Sequence, residues 1–169
     1  MRPRSVGTVR ISSTDAQRAP TIQPNYLTHE EDRRVMLHAI RTGRKILASA
    51  ELAPFYGREV LPGAERAGDD ELLDFARQYG SSCYHYAGTC RMGPESDPTA
   101  VVDQELKVRG LEGLRVVDAS VMPTMPSANT YATTLVIAEK ASDMILGRAP
   151  AVPASGIAAP QRRVAELVS

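Results

Sequence analysis

The 169-residue sequence contains no tryptophan, two phenylalanines and six tyrosines, so any core must be built almost entirely from aliphatic side chains. It holds two cysteines, Cys83 and Cys90. Two are too few for a disulfide framework, and the default expectation is a reducing, cytoplasmic setting. No apolar run approaches the ~18–20 residues that cross a bilayer; the best stretch, 133–138, is cut off by Glu139 and Lys140. Arg2, Pro3 and Arg4 carry charge with no apolar run behind them, so no signal peptide is expected. Net charge is missing too, because twenty Lys/Arg balance twenty Asp/Glu. That balance argues against nucleic acid or an anionic membrane as a partner drawn by a basic field.

What remains is the composition of an ordinary globular chain, 43% hydrophobic and 24% charged. Its length suits one domain able to bury about 68–70% of its unfolded surface. The charge is segregated, however: residues 1–45 carry nine Lys/Arg against four Asp/Glu, and residues 51–74 carry two against seven. This pattern reads as solvated faces or as one part of the chain meeting another.

Small or polar residues alternate with β-branched ones over 5–11, which predicts a strand, followed by a polar, Pro-punctuated loop over 12–25. Thr28 with Glu31 reads as a capping box opening a helix over about 29–49, whose apolar positions include Met36, Ile40 and Leu47. Gly43 is a weak spot within it. Asp69 and Asp70 open a second helix that Gly80 stops, with Leu72, Leu73, Phe75, Ala76 and Tyr79 as its apolar face. Short β-rich pieces between Gly and Pro turns fill 81–129, and a third helix is predicted over about 133–146, stopped by Gly147. The domain is expected to span 1–149, leaving 150–169 as a flexible Ala/Pro-rich tail. There is no internal repeat.

Chemistry has few places to reside. Of three histidines, His29 and His38 belong to the first helix and read as surface or structural residues. His85 lies instead in Tyr84-His85-Tyr86-Ala87-Gly88-Thr89-Cys90-Arg91-Met92-Gly93, where small residues allow the backbone to approach a ligand closely. An imidazole titrates near neutrality and can act as a general base. On the residues alone, that role stays open beside a partly buried loop histidine. Cys83, His85 and Cys90 as metal ligands lack a fourth partner, so no metal is expected. Nothing nearby activates either thiol as a nucleophile, and a Ser81–His85 triad lacks the G-x-S-x-G elbow.

The 84–93 string resembles the histidine motif of the glucose–methanol–choline (GMC) family of flavin oxidoreductases. So does the run 111–123, from Leu111-Glu112-Gly113 through Val117-Asp118-Ala119-Ser120 to Pro123. A third piece, Ser127-Ala128-Asn129-Thr130 leading into Ile137-Ala138-Glu139-Lys140, is similar to the family's last helix and the loop before it. Order and spacing fit over about residues 2–147, closest to bacterial alcohol and choline dehydrogenases. Tyr86 departs from the Pro frequent after that histidine, with an expected effect on the substrate pocket but not on the base.

The resemblance implies an α+β fold, a few strands with helices on one side, carrying a segment that docks on an FAD-binding domain. It implies that His85 is the catalytic histidine and Asn129 the second member of the catalytic pair. Asp118, Ala119, Asn129, Thr130 and Tyr131 would contact FAD. The substrate would be an alcohol, giving up its hydroxyl proton to His85 while hydride leaves carbon for flavin N5; the start of the third helix is expected to favour charge gathered on the reduced flavin. The Rossmann half, however, is absent. No two glycines stand in a G-x-G relation to hold a pyrophosphate. FAD is therefore expected to be bound mainly by an N-terminal half outside this chain, with the chain inactive alone. The other expectation is a non-catalytic truncated remnant or binding module.

Overall fold

The computed structural model describes residues 2–149, so the expected tail over 150–169 lies outside the described residues. The first predicted strand forms over Thr8–Arg10 (β1). It pairs antiparallel with Thr21–Gln23 (β2), Val9 opposite Ile22, inside the stretch expected to be loop. Three residues between Pro20 and Pro24 are too few to display alternation, so β2 exists only through its pairing with β1. Ser12 Oγ donates to the Ala19 carbonyl and Asn25 Nδ2 to the Val6 carbonyl, closing the hairpin at both ends. All six strand residues are exposed, and the helices pack elsewhere than on this sheet. The mixed helix and small-sheet content is as expected, but the helices do not cover one side of it.

Helix α1 spans Glu30–Leu47 and runs through Gly43 without a break. Its cap is not Thr28, whose hydroxyl donates back to the Asn25 carbonyl. Instead His29 Nδ1 accepts from the Glu31 N–H at 3.2 Å. Acidic residues fill the first turn, and Arg44 and Lys45 the last, complementing the helix dipole. Helix α2 spans Asp69–Tyr79 and stops at Gly80 as predicted, with the Glu71 carboxylate accepting from the Gly68 N–H at 3.0 Å.

Leu37 of α1 meets Leu72 and Leu73 of α2, with Ile40 against them, in one small core. The segregated charge resolves here. Arg44 forks onto the half-buried Glu59 carboxylate at 2.7–3.0 Å and donates to the Gly63 and Arg66 carbonyls, and Arg41 pairs with Asp69. The basic first third of the chain thus binds the acidic second.

Asp32 ties the start of the chain to α1 by accepting from the N–H groups of Arg4 and Ser5 and from the Ser5 hydroxyl. Burial pushes its pKa up, but those hydrogen bonds outweigh it and hold the carboxyl below its ordinary 3.8. A lowered folded pKa adds stability above pH 3.8 that is lost as pH falls through the folded value. Amide protection at Arg4 and Ser5 is therefore expected to collapse on acidification below that point. In Asp32→Asn it should be weak at every pH; an acid-independent profile in the native chain would remove this anchor.

A second core holds Val102, Leu106, Val121 and Ala141, flanked by Met92, Val108, Val116, Val117 and Ile137. The extended pieces expected over 81–129 appear as single bridges, Met92–Val102, Val102–Val108 and Lys107–Arg115. Arg109 fastens them by donating to the carbonyls of Gly93, Pro94 and Asp97. Arg91 pairs with Asp97 at 2.7 Å; the Thr99 hydroxyl and N–H, with Arg91, hold that carboxyl below the usual range. Helix α3 spans Thr130–Ile145, starting three residues before the predicted position. Its Ala141 and Ile137 reach this second core beside a short 3-10 turn at Ala119–Val121.

Candidate active site

Three separate stretches build one corner of the second core. The segment 88–92 runs beside the 3-10 turn, with N–H groups of Gly88, Cys90 and Met92 donating to the carbonyls of Ala119, Ser120 and Val121. Gly88 sits at φ +85°, and a Cβ there would lie 3.3 Å from the Met122 carbonyl oxygen. Gly88, among the small residues after His85, thus serves a close approach to this turn. Asp118 accepts from the Ser120 N–H at 2.7 Å and caps the turn. The turn in turn supports α3, whose first residue follows Asn129 directly.

This scaffold brings His85 and Asn129 together across 44 positions of sequence, with Asn129 Nδ2 3.1 Å from His85 Nε2. On the other side of the ring Thr130 Oγ1 stands 3.4 Å from Nδ1. Both ring nitrogens thus face neutral polar groups, with His85 half-buried and Asn129 exposed. With the Asn129 amide turned nitrogen-first, as it is here, an amide N–H donates to Nε2, an arrangement that pairs with a ring proton on Nδ1. The side chain of Thr130 is the element that sequence reading missed. Its position was singled out only for contact with FAD, and its single sequence signal is that it follows Asn129.

The other candidates lie around this pair. Asp118 and Ala119 belong to the supporting turn, where the Asp118 carboxylate is spent on Ser120 and the Ala119 carbonyl accepts from Gly88. Tyr131 projects from the start of α3 and is 73% exposed. Asn129 makes no side-chain cap, so the first N–H groups of α3 have no partner from it. Arg2 Nε donates to Ser127 Oγ at 2.8 Å, tying the beginning of the chain to the loop before Asn129. Cys83 and Cys90 are free thiols, and among the described residues no group of His, Cys, Asp or Glu is arranged to hold a metal.

The site borders an apolar face. Tyr131, Leu135, Val136, Ile145 and Leu146 of α3 and its end are exposed, Val136 by 67%. Tyr84, Tyr86, Leu111 and Leu114 are exposed as well. A soluble chain rarely leaves so many large apolar groups uncovered without a surface to meet them. No helix among the described residues is long and apolar enough to cross a membrane.

Residues 3–138 match the C-terminal-domain model of the GMC oxidoreductases. The chain is 48% identical over 148 residues to the mitochondrial choline dehydrogenase of Homo sapiens, covering 88% of this chain and 25% of that protein. It is 44% identical over 154 residues to the oxygen-dependent choline dehydrogenase 1 of Chromohalobacter salexigens, covering 91% and 28%. Among solved structures, a pyridoxine 4-oxidase from "Mesorbium loti" superposes with a TM-score of 0.79 at 37% identity, covering 88% of this chain and 29% of that one. An FAD-dependent oxidoreductase from Chaetomium thermophilum gives 0.77 at 34% identity, covering 83% and 24%. The chain spans about a quarter of the length of the curated relatives it matches.

Proposed function

The chain belongs to the GMC oxidoreductase family, and on that premise we propose that it is the catalytic, substrate-side portion of an FAD-dependent enzyme oxidising the CH–OH group of an alcohol. The observation that carries this reading is the 3.1 Å pair formed by His85 Nε2 and Asn129 Nδ2. A lone pair and an N–H donor meeting at one point match the two needs of a hydroxyl. Its proton goes to His85 Nε2, and its oxygen, as negative charge develops, takes a hydrogen bond from Asn129.

In the present arrangement the two nitrogens bond each other directly. An alcohol oxygen bonded to both at ~2.8 Å needs them about 4.5 Å apart. Asn129, exposed and free of capping duty, is the member that gives way. The alcohol thus replaces one hydrogen bond by two and is oriented as it enters.

The residues present suit the ring end of a flavin and not its pyrophosphate. The uncapped N–H groups that open α3 can donate to flavin acceptors, and the apolar side chains beside them suit a flat aromatic surface. With no G-x-G turn, the phosphates must be held elsewhere. A bound flavin would accept the hydride that leaves the alcohol carbon. Asp118, Ala119, Asn129, Thr130 and Tyr131 are the proposed contacts to it, and an FAD-binding half is the proposed cover for the apolar face. Free thiols at Cys83 and Cys90 suit a reducing cytoplasm.

Purified alone, the 169-residue chain is expected to be colourless and to leave alcohols unoxidised in a dye-linked assay. Co-expression with a flavin-binding half should restore both a stoichiometric flavin spectrum and turnover. A flavin spectrum from the isolated chain would overturn the division of labour, and a coloured, folded complex without turnover on any alcohol would overturn the activity.

A further inference from the structure

We infer that Thr130 is a positioning residue for His85: its Oγ1 receives the Nδ1–H bond and holds the imidazole in the one tautomer that leaves Nε2 bare toward Asn129. This deepens the proposed function and rests on His85 being the base.

The argument starts from what each neighbour is able to offer. Asn129 presents Nδ2 to Nε2 at 3.1 Å, and an amide nitrogen has no lone pair to give. With the amide in this orientation the ring proton is assigned to Nδ1, leaving Nε2 to accept. A hydroxyl can donate or accept, so Thr130 Oγ1, 3.4 Å from Nδ1, adapts to this polarity and accepts. The ring is held at both nitrogens: moving its proton to Nε2 would set two donors against each other, and turning the ring over would put C–H groups where both nitrogens now bond.

Geometry fixes the hydroxyl where it is needed. Thr130 is the first residue of α3, immediately after Asn129, so the two side chains that flank the ring rise from one backbone corner. The Thr130 carbonyl accepts from Thr134 Oγ1 at 2.9 Å, pinning that corner to the next turn of the helix. Thr130 Oγ1 is attached directly to Cβ, so it is carried close to the backbone and chooses among few χ1 positions rather than being found by a long flexible arm. One corner therefore supplies the group that the substrate displaces and the group that stays behind to orient the base. After Nε2 takes a proton, Nδ1–H can still donate to Thr130, so this bond persists through the proton transfer.

The test reads the tautomer directly and needs no flavin. In the 15N-histidine-labelled full chain, at alkaline pH where the imidazole is neutral, long-range proton–nitrogen NMR should show His85 protonated at Nδ1 with Nε2 as the bare nitrogen. Thr130→Val, which keeps the shape and removes the hydroxyl, should lower the Nδ1–H to Nε2–H ratio several-fold, and Thr130→Ser should restore it. Unchanged α3 amide signals show that each variant is folded; if Thr130→Val is not, Asn129→Ala with Thr130 intact should still hold an Nδ1–H population above that of free histidine. An Nε2–H ring in the native chain, or the native ratio in a folded Thr130→Val, overturns the inference. Activity of His85→Ala in the co-expressed enzyme would instead overturn the reading beneath it and leave the tautomer result standing.

Discussion

In the enzyme reconstituted with a flavin-binding half, His85→Ala is expected to lower the rate of alcohol oxidation by about 10²–10⁴-fold, the usual contribution of a positioned general base. Flavin content should not change, because the ring contacts proposed for this chain come from Asn129, Thr130, Tyr131 and the 118–119 turn rather than from the imidazole. The effect is large because the two side chains that hydrogen-bond His85, Asn129 and Thr130, are neutral and cannot replace it as a base. Nε2 is bonded to an amide, Nδ1 faces a hydroxyl, and no carboxylate bonds either nitrogen. The measurement is kcat/KM at saturating electron acceptor for the native and variant complexes, with flavin absorbance as the control. Equal rates would remove His85 as the base and with it the mechanism.

Leu72→Ala is expected to cost about 2–5 kcal/mol, in a core that shares no residue with the one beneath the candidate site. Leu72 is fully buried, in a core of Leu37 and Leu73 with Ile40 against them, so the cavity has few side chains to refill it. Val121 is also fully buried, but in the other core, where its carbonyl accepts from Met92 beneath the His85 segment. Val121→Ala deletes two methyl groups, worth about 1.6 kcal/mol of transfer at ~0.8 each, plus a cavity term. The sites of loss should differ. Hydrogen exchange should quicken across α1 and α2 in Leu72→Ala with the His85 NMR signals unmoved. In Val121→Ala it should quicken over 88–92 and α3, with those signals shifted. The two cores share no residue, which is the condition for separable opening. Uniform loss of protection in both variants would show one cooperative unit instead.

How much of this was legible beforehand follows from which forces are local. Helix α2 begins at Asp69 and ends before Gly80 as read, because its acidic first turn, apolar spacing and stop act within one element. The cap of α1 escaped because Thr28 and His29 compete for one duty, and the Asn25 carbonyl takes the Thr28 hydroxyl out of that competition. Strand β2 escaped because a strand's hydrogen bonds belong to its partner. The early start of α3 escaped because Thr130, Thr133 and Thr134 are poor helix formers alone, and it is packing against the 3-10 turn that holds them. Charge segregation was visible as a pattern, yet its meaning needed Arg44 to be seen on Glu59.

The sequence by itself determined the helices whose order is set by neighbours three and four residues apart, the sets of motif residues, and the lack of a turn to hold a pyrophosphate. Only the tertiary structure decided that residues 85, 129 and 130 share one point, that Gly88 serves the 119–122 turn, and that one face of α3 is left uncovered. The physical reason is distance along the chain. Contacts across some forty residues are closed by packing of the Val102–Val121–Ala141 core, and no spacing rule in the primary structure encodes how that core closes.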